Sequence, residues 1–229
     1  MTYHLVAYTA REELANRLTH GLAVLLSVPG LVLMVVAAAE TKDPYRIVST
    51  SIFTLALLLF FCISTLYHTF TRPAVRYVFR VLDHAGIFVV IAGTYTPFTL
   101  VTLRHGHGWL LFGVVWGLAV VGMIFKTFMT HRLRILAPCL YLCLGWLVVL
   151  DLKDLMTTLA PGGFWLLLSG GVIYSLGLIF YAIDKIPYNH AIWHLFVVAG
   201  AVCHYLAVYN YVIPLRVSWV GLPVFTLAT

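Results

Sequence analysis

The sequence predicts an all-α membrane protein: a bundle of seven spanning helices, N-terminus in the cytoplasm and C-terminus outside. Three observations carry this. Hydrophobic residues make up 62% of the 229-residue chain and charged residues 10%, where soluble domains show about 45–50% and about 25%; mean hydropathy is +0.98. Seven apolar stretches are each long enough, or nearly so, to cross ~30 Å of hydrocarbon as a helix. Lys and Arg gather on the loops of one side. No stretch is long enough for a separate soluble domain, so residues 1–229 are one domain.

The first run covers 16–38. Ala37-Ala38-Ala39 resembles a signal-peptidase site, but the run exceeds the ~7–15-residue core of a signal peptide, and Glu12 and Glu13 flank it. It reads as a retained span. Asp43-Pro44 breaks the chain before the second run, 47–70, and Pro73 before the third, 81–103. The fourth is 108–128 and the fifth, the shortest, 134–151, with Pro138 in its first turns. Pro161-Gly162-Gly163 precedes the sixth, 163–183, and Pro187 the seventh, 190–212. These runs are too long and too evenly apolar for barrel strands, and lipid offers an open strand edge no partners. Pro29 and Pro97 fall inside spans, where they are expected to kink the helix and leave room for a cavity. Gly113 and Gly117, four apart, read as a close helix-packing spacing. Residues 215–229 are apolar but too short to assign.

Nine Lys and Arg lie on one set of loops (Arg11, Arg17, Arg72, Arg76, Arg80, Lys126, Arg132, Arg134 and Lys185) and five on the other (Lys42, Arg46, Arg104, Lys153 and Arg216). The richer side is assigned to the cytoplasm. The net charge of +6 therefore sets orientation and does not imply nucleic-acid binding. Cys62, Cys139, Cys143 and Cys203 lie within apolar runs and read as packing residues, not a disulfide framework.

With this topology, polar residues converge on the cytoplasmic end. Glu13, Asn16, Thr19 and His20 open the first span, Ser64 and His68 close the second, Asp83 and His84 open the third, and His190 and His194 open the seventh. Two histidines at i and i+4 share a helix face. His68, His190 and His194 make a three-imidazole set, which on zinc leaves a fourth position for water, the pattern of a catalytic site. Asp83 suits a general base, and Ser64, one turn before His68, suits an orienting or oxyanion-binding hydroxyl. Glu13 and Asn16 read as hydrogen-bonding support for the ligands or as helix-cap groups. His20 reads first as part of a polar helix start, with a supporting role beside Glu13 and Asn16 as the other reading. His84 points about 100° away from Asp83 and reads as interfacial. His204 lies too deep for the same ion and reads as an interhelical hydrogen-bonding residue. His105, His107 and His131 sit in loops and are given no role. Cys139 and Cys143, also i and i+4, are a softer alternative set without an adjacent carboxylate.

The ordered set Glu13-x-x-Asn16-x-x-Thr19-His20, Ser64-x-x-x-His68, Asp83 after Arg80, and His190-x-x-x-His194 resembles the motifs of the haemolysin III family, within the progestin and adipoQ receptor superfamily that includes the adiponectin receptors. The resemblance runs to about residue 214. It implies a seven-helix bundle with zinc held near the cytoplasmic face by His68, His190 and His194, and with Asp83 and Ser64 reaching the site through its water. The wider superfamily resembles the alkaline ceramidases, which are lipid amide hydrolases, and bacterial members are linked to membrane-lipid and fluidity homeostasis. The eukaryotic receptors carry a longer N-terminal region than the dozen or so residues before the first run here, which points to a bacterial member in the plasma (inner) membrane.

Three functions are therefore weighed: a zinc-dependent hydrolase of lipid amides or esters, a sensor or receptor-like homeostasis factor in which zinc clamps helices, and a pore. A pore calls for a continuous polar stripe, and the centres of spans four to six carry almost no charge. The expected partners are membrane lipids, with a free fatty acid or lipid amide in the cavity; neither nucleic acid nor a protein partner is inferred.

Overall fold

The computed structural model describes residues 5–129, 136–183 and 185–214, and in these it is helical, without strands. Seven helices are long and apolar enough to cross a membrane: α1 (Ala10–Glu40), α2 (Pro44–Tyr67), α3 (Pro73–Thr102), α4 (Gly108–Phe128), α5 (Leu136–Thr158), α6 (Pro161–Ala182) and α7 (Asn189–Val212). Consecutive helices from α1 to α4 pack side by side, and α7 packs on both α6 and α1, closing the ring. α3 is the most enclosed. Leu22, Leu25 and Leu26 of α1 stand more than half exposed while Asn16 and His20 on the same helix are 1% exposed, as expected where the outer solvent is lipid.

Helix ends follow local chemistry. Thr9 and Glu12 form a capping box, each side chain bonded to the other's backbone N–H, so α1 starts at Ala10 rather than at 16. Asp43 accepts from Tyr45 N at 2.9 Å and pairs with Arg46 at the start of α2. Pro73 sits in the first turn of α3, where its missing N–H costs nothing; α3 thus begins before 81 and its polar first turns carry Arg76 and Arg80.

Both internal prolines stay within helices. After Pro97, α3 continues as a π-helical turn over Phe98–Thr102, which accommodates the ring and the lost donor. Gly108 opens α4 because a Cβ there would fall 2.1 Å from Thr99 O. α5 reaches Thr158 but is broken into an α-helix (Leu136–Gly145), a 3-10 turn (Leu147–Asp151) and a second α-helix (Leu152–Thr158). The cause is Tyr95 of α3. Its hydroxyl donates to Gly145 O at 2.7 Å and accepts from Val148 N at 2.9 Å, taking the place of ladder bonds.

The small-residue expectation for α4 is corrected. A Cβ on Gly113 or Gly117 meets nothing within 4 Å, and the close approach is instead at Gly122, against Phe88. Cavities lie beside both prolines. An apolar cavity of about 150 Å³ lies among α3, α5, α6 and α7 and reaches Phe98, beside Pro97. A second, of about 300 Å³, lies among α1, α2 and α7 at Pro29 and Gly30.

Candidate metal centre

Four helix ends meet to form the site. α2 ends at Tyr67, leaving His68 as its C-cap. Ser64, one turn earlier, is fully buried and His68 is 5% exposed. α3 brings Asp83, and α7 opens with His190 and His194, all buried. The ring centroids of His68, His190 and His194 lie 5.1, 5.2 and 4.5 Å apart, and one ligand atom from each falls within 4.8 Å of the others.

Hydrogen bonds set the tautomers. Glu13 Oε2 accepts from His68 Nδ1 at 2.7 Å, and the other Glu13 oxygen pairs with Arg76. His194 Nδ1 faces Thr19 Oγ1 at 3.0 Å and Asn16 O at 3.2 Å. Because Thr19 Oγ1 already donates to Ala15 O and Asn16 O, it accepts here and the imidazole donates. Both rings thus keep an Nε2 lone pair for a ligand, the arrangement usual for metal-binding histidines. His68 Nε2 and His190 Nε2 are buried without a hydrogen-bond partner. An unpaired buried acceptor costs about 1–3 kcal/mol, so a set of them converging on one point fits a bound cation. Three neutral imidazoles are a donor set that suits zinc.

Asp83 is 6% exposed, and the groups acting on its carboxylate are His68, Ser64 and Arg80. Ser64 Oγ lies beside that carboxylate but outside normal hydrogen-bond geometry, and is otherwise unpartnered. A hydroxyl and a carboxylate thus lie together beside His68, and His84 Nδ1 lies 3.8 Å from the carboxylate.

Two readings of individual histidines are corrected. His20 is not part of a polar helix start: it is 1% exposed and stacks face to face on His194, centroids 3.6 Å apart at 11°. Neither of its ring nitrogens has a partner. His84 is not interfacial: it is 7% exposed, its Nδ1 lies 2.7 Å from Arg80 O, and Tyr141 donates to its carbonyl. Glu13 and Asn16 do not cap α1, which Thr9 does; Glu13 holds His68 with its carboxylate, whereas Asn16 reaches His194 only through its backbone carbonyl, its side-chain amide being buried without a partner. His204 bonds Leu167 O of α6 at 3.1 Å, the interhelical role expected. Cys139 and Cys143 are exposed and belong to neither metal-capable cluster among the described residues. His131 lies outside the described residues, as do residues 215–229.

Two contributors to this centre were missed, and one group at the other end of the bundle. Tyr8, half-buried ahead of α1, stacks on His190 at 5.3 Å, and burial pushes its phenol far above the ordinary value, so it stays neutral. Arg76 braces Glu13; its position seven before Asp83, on the same helix face, was the available signal. His107 has two carboxylate neighbours, Asp151 and Asp154.

Comparison with known proteins gives a consistent result. A family profile described as Haemolysin-III related matches residues 8–205, a stretch that contains every residue of this site. The chain is 41% identical to "Hemolysin-3" of Bacillus cereus over 204 residues, covering 89% of this chain and 93% of that one. It is 43% identical to the "Hemolysin-3 homolog" of Bacillus subtilis (strain 168), covering 89% and 96%. It is 29% identical over 213 residues to the human "Monocyte to macrophage differentiation factor", covering 89% and 85%. No solved structure matches.

Proposed function

The chain belongs to the haemolysin-III related family, within the progestin and adipoQ receptor superfamily, and on that premise we propose that this multi-pass membrane protein is a zinc-dependent hydrolase of lipid amides or esters. It serves membrane-lipid and fluidity homeostasis in a bacterial plasma membrane. The observation that carries the reading is the meeting of His68, His190 and His194, two with unpaired Nε2 atoms, with Asp83 and Ser64 at their side.

Zinc, when held by the three histidines, would polarise a carbonyl and acidify water at neutral pH. The chain supplies the rest. Asp83 takes the proton of the attacking water as that oxygen joins the carbonyl carbon. It returns a proton to the leaving amine or alkoxide as the C–N or C–O bond breaks. Ser64 Oγ donates to the oxygen that gains charge. Glu13 and Asn16 hold the ligand imidazoles in one tautomer.

The apolar cavity supports a lipid substrate. Its wall starts at Phe60 and Ile87, one helical turn beyond Ser64 and Asp83, and runs to His204. At about 150 Å³ it matches a cavity known to take benzene, so it holds a segment of an acyl chain.

The test is metal analysis with lipid mass spectrometry on the purified protein. About one zinc per chain should survive dialysis against a mild chelator, and His68→Ala and His194→Ala should each lose it. Full occupancy in both variants would overturn the reading. A second reading, a sensor with a structural zinc, draws on the same contacts, because the ion would tie the end of α2 to the start of α7. A pore is a distant third.

A further inference from the structure

The opposite end of the bundle carries a group that this chemistry does not use. His107, in the turn between α3 and α4, faces two carboxylates of α5: Nδ1 lies 3.3 Å from Asp151 Oδ1 and 3.8 Å from Asp154 Oδ2. One ligand atom from each of the three lies within 4.8 Å of the others. We propose that His107, Asp151 and Asp154 form a second divalent-cation site, of the zinc or manganese class, that ties the α3–α4 turn to the broken part of α5.

Three observations support it. Asp151 is 9% exposed, and its Oδ2 is buried without a partner; a buried carboxylate oxygen left unpaired costs more than a neutral one. One separation, His107 Nδ1 to Asp151 Oδ1 at 3.3 Å, is that of two ligands on one tetrahedral ion, each ~2.0–2.1 Å from it, and Asp154 Oδ2 lies slightly further off at 3.8 Å. Finally, Asp151 and Asp154 are like charges on one helix face. Among the described residues the ion pairs of both run to His107 alone, and Arg104, nearby in sequence, lies over the Tyr45 ring at 3.5 Å. A dication among the three relieves the repulsion. One imidazole with two carboxylates favours zinc or manganese, since calcium and magnesium prefer oxygen alone.

The site differs from the three-histidine centre in accessibility. The His107 and Asp154 side chains are 71% and 45% exposed, so the ion exchanges with solvent and answers to the metal concentration on that side.

The experiment uses the full chain in detergent, stripped with a chelator and titrated calorimetrically with zinc, with His68→Ala titrated alongside so that uptake by the three histidines is told apart. Wild type should show a saturable event that His68→Ala retains. Asp154→Asn and His107→Gln should weaken it more than about tenfold, the low end of what loss of a mere ligand-supporting partner costs; Asp151→Asn should remove it. Asp154 and His107 are surface side chains, and an unchanged metal-free Tm in their variants guards against misfolding. The reading is the difference between wild type and these variants, so it stands or falls independently of the three histidines. Equal titrations in wild type and these variants, or none in wild type, would overturn the site. A raised imidazole pKa of His107 by NMR with no zinc event would mark a plain ion pair and overturn it too.

Discussion

At the scale of the residue, Asp83 separates catalyst from clamp. Asp83→Asn keeps the size and a hydrogen bond but removes the basic carboxylate. In a hydrolase it should retain zinc and fold while losing about 10²–10⁴-fold in turnover; Ser64→Ala should lose less. The check is release of free fatty acid from a panel of lipid amides and esters, with zinc content measured alongside. Full turnover in Asp83→Asn, beside dead histidine variants, ends the hydrolase reading in favour of the sensor. Glu13 gives a second prediction. Glu13→Gln leaves His68 in place but takes the charge that fixes its tautomer, and should weaken zinc binding by about 10–100-fold in a competition with a chelator. How legible these residues were follows from where their partners lie. His190 and His194 share a helix face by spacing alone, and the depth of Ser64, His68 and Asp83 follows from counting spans. The pairing of Glu13 with His68 crosses 55 positions and that of His107 with Asp151 crosses 44; no local pattern encodes either. His20 was misread for the same reason: its burial depends on α7 bringing His194 onto its face.

At the scale of the element, hydropathy found all seven spans and the ends of α4 and α7, but not the starts of α1 and α3 or the end of α5. Capping chemistry moved the start of α1, and proline at a first turn moved that of α3. The break in α5 was invisible because it is made by a tyrosine of another helix. Glycines carry the same lesson, since the spacing at Gly113 and Gly117 suggested contact where the chain makes none. Their neighbourhoods give opposite predictions. Alanine is a better helix former than glycine by about 1 kcal/mol, so Gly113→Ala, whose Cβ meets nothing, should hold or raise thermal stability. At Gly93 a Cβ would fall 2.8 Å from Ala56 Cβ, between α2 and α3. There overpacking, typically about 1–3 kcal/mol, exceeds the propensity gain, and Gly93→Ala should lower Tm. A destabilised Gly113→Ala would mean that this face of α4 packs against another chain.

At the scale of the molecule, packing and charge answer different questions. The starts of α1, α3 and α7 meet the end of α2 at one end of the bundle, so His68, Asp83, His190 and His194 stand together whichever way the chain is inserted. The turn with His107 belongs to the other end, because α3 separates it from Asp83. Packing alone cannot tell inside from outside; the nine-to-five division of Lys and Arg can, since positive loops stay in the cytoplasm. That division predicts the three-histidine centre on the cytoplasmic side and the His107 cluster outside. Reporter fusions after residue 75 and at the C-terminus check both parts separately. The expected result is a cytoplasmic reporter after residue 75, in the first turn of α3, and an external one at the C-terminus, because an odd number of spans puts the termini on opposite sides. Two cytoplasmic reporters would mean an even number of crossings between these points and would remove α5, the broken helix, as a span. An external reporter after residue 75 with a cytoplasmic C-terminus would keep all seven spans but invert the bundle. The three-histidine centre would then draw its metal from outside the cell, and the His107 cluster would answer to the cytoplasm.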